Sequence, residues 1–177
     1  QMKGEVGVEI SALLAFAAVN NNDRVGLIIF TDVVEVFIPP EKGRKHVLRV
    51  IRELLYFEPK GARTDLAGAL DHLIKVLRRK SVVFLISDFI DKEFSRVIQQ
   101  VRRRHDLVAV SLWDPRERVL PDVGFINLED AETGEQIVVD TRVSQIREKF
   151  ERSQVDFERD LSKLFKRADV DHVSIDI

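Results

Sequence analysis

Ser81-Val-Val-Phe-Leu-Ile-Ser-Asp88 is the stretch that decides the fold. From Val82 to Ile86 it is apolar without a break and rich in β-branched and aromatic residues. A strand with one wet face would alternate, so this run predicts a strand buried on both faces, the pattern of a parallel sheet. On its N-terminal side the spacing predicts a helix from Leu66 to about Arg79, with Thr64 or Asp65 able to cap it by accepting a bond from a free N–H. On its C-terminal side Asp91 can cap a helix that runs through Arg104, and Leu107–Trp113 is a second buried strand, ended by Asp114-Pro115. Apolar strands alternating with helices imply a mainly parallel sheet, since parallel strands need such long crossovers.

Working outward, Arg24–Phe30 (RVGLIIF) is another almost wholly apolar run, expected to be buried on both faces. Thr31-Asp32 breaks the chain, and Val33–Ile38 alternates like a half-exposed strand that Pro39-Pro40 should terminate. These two strands predict a hairpin with the second at an edge. Ahead of them, residues 5–19 place Val6, Ile10, Leu13, Leu14, Ala17 and Ala18 on one helical face, and behind them His46–Tyr56 is a short amphipathic helix. Phe125–Leu128 and Gln136–Val139 flank the turn-rich Asp130–Glu135, an extra β-hairpin near residues 124–140. A long helix over 142–167 with the apolar face Val143, Ile146, Phe150, Phe157, Leu161, Leu164 and Phe165 leads to a last strand at His172–Ile177. The sum is an α/β fold of three layers, a mainly parallel sheet with helices on both faces, in a single domain over residues 1–177.

Composition narrows the function. Lys and Arg total 28 against 30 Asp and Glu, a net charge of -2 that gives no long-range pull toward nucleic acid or anionic membrane. Cysteine is absent, which excludes a disulfide framework and thiolate metal sites and fits a reducing compartment, so a cytoplasmic setting is expected. The apolar runs are too short to span a bilayer, and Glu5 and Glu9 interrupt the first of them as no signal peptide would. Gln1 precedes Met2, which suggests a piece excised from a longer chain.

In parallel sheets ligands gather beyond the carboxyl ends of the strands. Two polar features fall there: Asp88 after the 81–87 strand, and Thr64-Asp65 after the glycine-bearing loop Lys60-Gly61-Ala62-Arg63. A hydroxyl and a carboxylate on neighbouring loops suit a hard cation such as Mg²⁺, which takes oxygen ligands and keeps several waters. An Asp in such a place also serves as a helix cap or turn former. Other features have plain structural readings. Arg78-Arg79-Lys80 and Arg102-Arg103-Arg104 should close helices, where cations offset the dipole. The histidines His46, His72, His105 and His172 are scattered without ligand spacing and read as surface or helix-end residues. No phosphate-cradling glycine motif occurs, no His falls in the strand-end loops, and Phe89 reads either as a rim contact or as core.

Three segments then carry a resemblance. Asp23–Phe30 (DRVGLIIF), Gly61–Leu70 (GARTDLAGAL) and Leu85–Phe89 (LISDF) resemble, in order and distance, the von Willebrand factor A fold. More narrowly the chain is similar to the bacterial DUF58 group, with Trp113–Glu117 (WDPRE), Leu120-Pro121 with Gly124, and Asp130–Glu135 as further matches. The resemblance implies a metal-ion-dependent adhesion site built from an Asp-x-Ser-x-Ser motif, a Thr that maps to Thr64 and an Asp that maps to Asp88, holding Mg²⁺ for a partner's acidic side chain. It implies a protein–protein interaction module rather than an enzyme, and a MoxR-type AAA+ ATPase as partner.

The Asp-x-Ser-x-Ser motif occurs nowhere in the sequence. By the resemblance, the first central strand that bears it lies between the 24–30 and 81–87 strands and is missing here. The flanking strands should then close up on each other, or another chain's segment should fill the gap by dimerisation or strand swapping. With two of five protein ligands, Mg²⁺ binding by this piece should be weak or absent. The alternative is a Mg²⁺-dependent phosphoryl-transfer enzyme on a doubly wound sheet, which needs clustered carboxylates and a cation. The loops supply Asp88, Asp91 and Asp114 without a clearly placed Lys.

Overall fold

The computed structural model describes residues 3–61, 63–91, 93–129 and 136–177. In chain order these form α1 (Lys3–Asn20), β1 (Val25–Phe30), β2 (Val34–Glu41), α2 (Arg44–Leu55), α3 (Leu66–Val76), β3 (Val82–Ser87), α4 (Ser95–Arg104), β4 (Asp106–Trp113), a 3-10 turn (Pro115–Glu117), β5 (Phe125–Glu129), β6 (Gln136–Asp140), α5 (Ser144–Arg167) and β7 (Asp171–Asp176). The deciding stretch is β3, and its neighbour β4 runs parallel to it, from Val82 opposite Asp106 to Ser87 opposite Ser111. β7 adds to the far edge of β4, also parallel. β4 is thus the central strand of a three-stranded parallel sheet, and from Ala109 to Trp113 it is continuously buried.

Helices pack on both faces of that sheet without enclosing β3: Val82 is 61% exposed and Phe84 43%, so the strand expected to be buried on both faces is open on one. Successive side chains in a strand point to opposite faces. Leu85, Leu107, Ala109 and Trp113 point to one, where Leu66, Leu70 and Leu73 of α3, Ile98 and Val101 of α4, and Leu161 and Phe165 of α5 close the main core. Phe165 sits at its centre, 5.0 Å from Phe89 and 6.2 Å from Phe94 between ring centroids. On the opposite face α1 lies close enough that a Cβ at Gly7 would stand 3.4 Å from Leu112 and 3.8 Å from Ile86. The expected one-sided face of α1 is not found: Leu13 is 69% exposed, and only Ala15 is buried. The helix is apolar nearly all round, so periodicity could not choose a buried side.

β1 and β2 form the expected antiparallel hairpin, and β5 with β6 forms the second, Phe125 opposite Asp140 and Glu129 opposite Gln136. The turn-rich segment 130–135 lies outside the described residues. Pro39-Pro40 do not end β2, which continues to Glu41. Proline is tolerated there because, among the described residues, β2 pairs with β1 alone, so its missing N–H interrupts no second ladder. Gly26 lets the prolines approach: a Cβ on it would lie 3.0 Å from the Ile38 carbonyl oxygen and from Pro40. β1 is half-buried rather than enclosed, and among the described residues it pairs with β2 alone. Contrary to one expectation, then, β1 and β3 do not close up on each other.

Two helix ends also differ. α3 stops at Val76, because Leu77 turns extended to pack against the core, so Arg78-Arg79-Lys80 stand in a loop and not in a last helical turn. Arg102-Arg103-Arg104 do close α4. Val143 is the residue before α5 and is exposed, the long helix beginning at Ser144.

Candidate functional site

The loops that carry the sequence-predicted residues converge at the carboxyl end of β1 and β3. Thr64 is half-buried in the loop that enters α3, and Asp88 is half-buried in the first position after β3. Asp65, not Thr64, caps α3: its side chain accepts a bond from the Gly68 N–H at 2.8 Å. That leaves the Thr64 hydroxyl uncommitted to the helix. The Asp88 carboxylate lies 3.4 Å from the Ser87 hydroxyl and 3.4 Å from the Ile90 N–H. Phe89 after it takes a left-handed backbone (φ 56°) and is buried, so it belongs to the core and is no rim contact. The reversal turns Phe89 inward and keeps Asp88 at the surface of the loop.

Backbone bonds across long sequence distances hold the loops together. The Asp65 N–H donates to the Thr31 carbonyl oxygen at 2.8 Å, tying the α3 entrance to the β1–β2 turn. The Leu66 N–H donates to Asp91 Oδ2 at 3.0 Å, tying the same entrance to the loop after β3. Asp91 therefore does not cap α4, as its position had suggested; it satisfies a free N–H at the start of α3 and accepts a second bond from Glu93. Thr64 and Asp88 sit on two sides of this junction.

Glu35 is a residue the sequence reading missed. It accepts the Thr31 hydroxyl at 2.7 Å, the Lys60 N–H at 3.0 Å and the Gly61 N–H at 3.3 Å. The Thr31 hydroxyl bond, helped by the two N–H groups, holds its carboxyl below its ordinary value against the opposing effect of desolvation. Gly61 is required for this approach, since a Cβ there would fall 2.1 Å from Asp32 Oδ1 and 2.6 Å from the Thr31 hydroxyl. The only sequence signal was the glycine itself, and no local spacing links residue 35 to residue 60.

Among the described residues no three His, Asp or Glu side chains converge to hold an ion. The histidines lie elsewhere, and not as surface groups: His46 and His105 are buried, and His72 and His172 half-buried. His46 bonds the Val25 carbonyl oxygen at 2.7 Å, docking α2 on β1, and His172 meets the Ser111 hydroxyl within the β4–β7 layer. Asp114 is held down to about 2 by its hydrogen bonds with the Arg116 side chain and backbone N–H, and lies on the turn after β4. No helix among the described residues is long and apolar enough to cross a membrane.

Comparison with known proteins sets this geometry in a family. An uncharacterized protein of Mycobacterium bovis is 33% identical over 135 residues, covering 75% of this chain and 43% of that protein. An uncharacterized protein of Mycobacterium avium is 31% identical over 134 residues, covering 73% of this chain and 78% of that protein. The chain thus spans less than half the length of the M. bovis relative. Among solved structures it is similar to the conserved hypothetical protein BatB of Bacteroides thetaiotaomicron, with a TM-score of 0.55, 13% identity, and coverage of 96% of this chain and 80% of that one. It is similar also to an aerotolerance-related membrane protein of Bacteroides fragilis, with a TM-score of 0.56, 14% identity, and coverage of 96% and 81%. At such identity these likenesses concern the fold. The family described as Protein of unknown function DUF58 matches residues 1–160, and this chain belongs to it.

Proposed function

We propose that this chain is the larger part of a von Willebrand factor A-like interaction module, not an enzyme, whose contact surface is the loop junction at the carboxyl end of β1 and β3. What supports the reading is the pair of cross-loop bonds, Asp65 to Thr31 and Leu66 to Asp91, which tie the α3 entrance that bears Thr64 to the β1–β2 turn and to the loop after β3 that bears Asp88. A rigid platform of oxygen donors favours recognition, because the ordering cost is met on folding rather than on binding. In the longer protein Thr64 would be a direct ligand of Mg²⁺, and Asp88 a ligand directly or through water. The ion would supply a positive position for a partner's acidic side chain. With one hydroxyl and one carboxylate, this chain alone would bind Mg²⁺ weakly.

The separation of the β1–β2 hairpin from the β3–β4–β7 sheet supports the same reading. Among the described residues β1 and β3 each pair along one edge, and an additional central strand from the longer protein or from another copy would satisfy both remaining edges. By family resemblance the partner is a MoxR-type AAA+ ATPase; the lack of cysteine fits a cytoplasmic setting. The test is capture of a purified MoxR-type ATPase from the same organism by the longer protein, with Mg²⁺ and with chelator. The reading expects capture that needs Mg²⁺ and is lost in Asp88→Ala; equal capture by wild type and variant contradicts it.

A further inference from the structure

We propose a second site at the opposite end of the sheet: an open pocket of about 690 Å³, walled by Lys75, Arg78, Arg104 and His105, that binds a phosphate group carrying two negative charges. The pocket lies where α3 and α4 end and β4 begins, at the amino ends of the strands, away from Thr64 and Asp88. Three observations converge on it.

First, its cations are uncommitted. Lys80 pairs with Asp106, and Arg102 with Asp106 and Asp169, but among the described residues Lys75, Arg78 and Arg104 have no ion-pair partner. Second, the helix dipole accounts for only part of the charge. Lys75 and Arg104 lie in last turns of their helices, where a cation is expected. Arg78 stands past the end of α3, in a loop that the early stop at Val76 creates. Third, His105 is 1% exposed, and among the described residues neither of its ring nitrogens has a hydrogen-bond partner. A neutral imidazole always carries one N–H, and a buried donor without an acceptor is costly enough that native proteins seldom leave one. An oxygen of a bound anion would satisfy it.

The chemistry selects phosphate. Two guanidinium groups and an ammonium put about three positive charges around one opening, of which the C-terminal ends of α3 and α4 offset about one; the remainder is still more than a single carboxylate offsets, and guanidinium forks match the oxygens of a phosphate group. Burial and the Arg104 charge both hold His105 toward its neutral form, in which it acts as a hydrogen-bond donor rather than a further cation. A soluble phosphate compound and the headgroup of a phosphomonoester lipid would present the same group.

The test titrates the 177-residue chain with pyrophosphate, and with chloride at matched ionic strength, following the His105 ring and His105 amide signals by NMR. The proposal expects a saturable shift of both signals with pyrophosphate and none with chloride, weakened about tenfold or more in Arg78→Gln/Arg104→Gln. Both arginines are exposed, so this variant keeps the fold. A shift that does not saturate, that chloride reproduces, or that survives in the double variant overturns the proposal. A second arm uses phosphatidylcholine vesicles with and without phosphatidic acid. Vesicle binding that pyrophosphate displaces supports the site with a lipid as source, and a pyrophosphate shift without vesicle binding supports it with a soluble source. Vesicle binding with no pyrophosphate shift overturns it, because it reports general surface attraction.

Discussion

Replacing Asp91 with alanine removes one carboxylate from the loop after β3, yet the structure places the damage at α3. The Leu66 N–H, which opens α3, loses its acceptor at 3.0 Å, and the Glu93 N–H loses another at 2.9 Å. Hydrogen bonds to a charged acceptor contribute about 1.5–3 kcal/mol, and loss of a capping carboxylate costs about 0.5–2 kcal/mol. Asp91 is half-buried, so water replaces part of the interaction and the lower half of that range applies, about 1–2 kcal/mol. For a chain of this length that is a fall in Tm of about 3–6 °C. Urea unfolding should show an earlier midpoint with unchanged slope, and hydrogen exchange should accelerate at the Leu66 amide more than at amides of β4. A loss below about 0.3 kcal/mol, within the scatter of ordinary surface substitutions, would refute the idea that Asp91 caps α3 across the junction.

Three further outcomes follow from the packing and the junction. Phe165→Ala should destabilise by about 3–5 kcal/mol, measured by urea unfolding, since the ring is fully buried against Phe89, Phe94 and His172. Gly61→Ala should cost about 1–2 kcal/mol by forcing Asp32 and Thr31 aside, with NMR shift changes concentrated in residues 31–35 and 60–66. Because the carboxyl of Glu35 is lowered on folding, its contribution is complete above about pH 4.5 and declines as pH falls through its folded value. The Lys60 and Gly61 amides should lose exchange protection over that acid range in wild type, while Glu35→Gln should leave them poorly protected throughout.

Strands were the most legible part of the sequence. The continuous apolar runs of β3 and β4 do pair in parallel, but only β4 is enclosed, since burial of β3 depends on what covers Val82 and Phe84, which the run itself does not display. The hairpin of β1 and β2 was equally plain, although Pro39-Pro40 misled about its length, because only pairing partners decide whether a proline is tolerated. Helix ends were harder: α3 stops short of Arg79 for the sake of the Leu77 side chain, a tertiary preference that no local spacing displays. At the site, Thr64 and Asp88 were visible as polar residues at strand and helix ends. Glu35 and the true role of Asp91 were not, since each acts across 25 residues of chain. His46 could have been found, for it precedes Val47 and lies one turn before Val50 on the buried face of α2.

Under the proposed function, Thr64 and Asp88 are this chain's share of a metal-assisted contact site that the longer protein would complete. The most direct measurement is calorimetric titration of Mg²⁺ into this chain and, in parallel, into the longer protein. The expected result is no saturation of this chain below about millimolar Mg²⁺, and binding by the longer protein at least about tenfold tighter and abolished by Asp88→Ala. Micromolar binding by this chain, or binding by the longer protein that Asp88→Ala leaves intact, would contradict it.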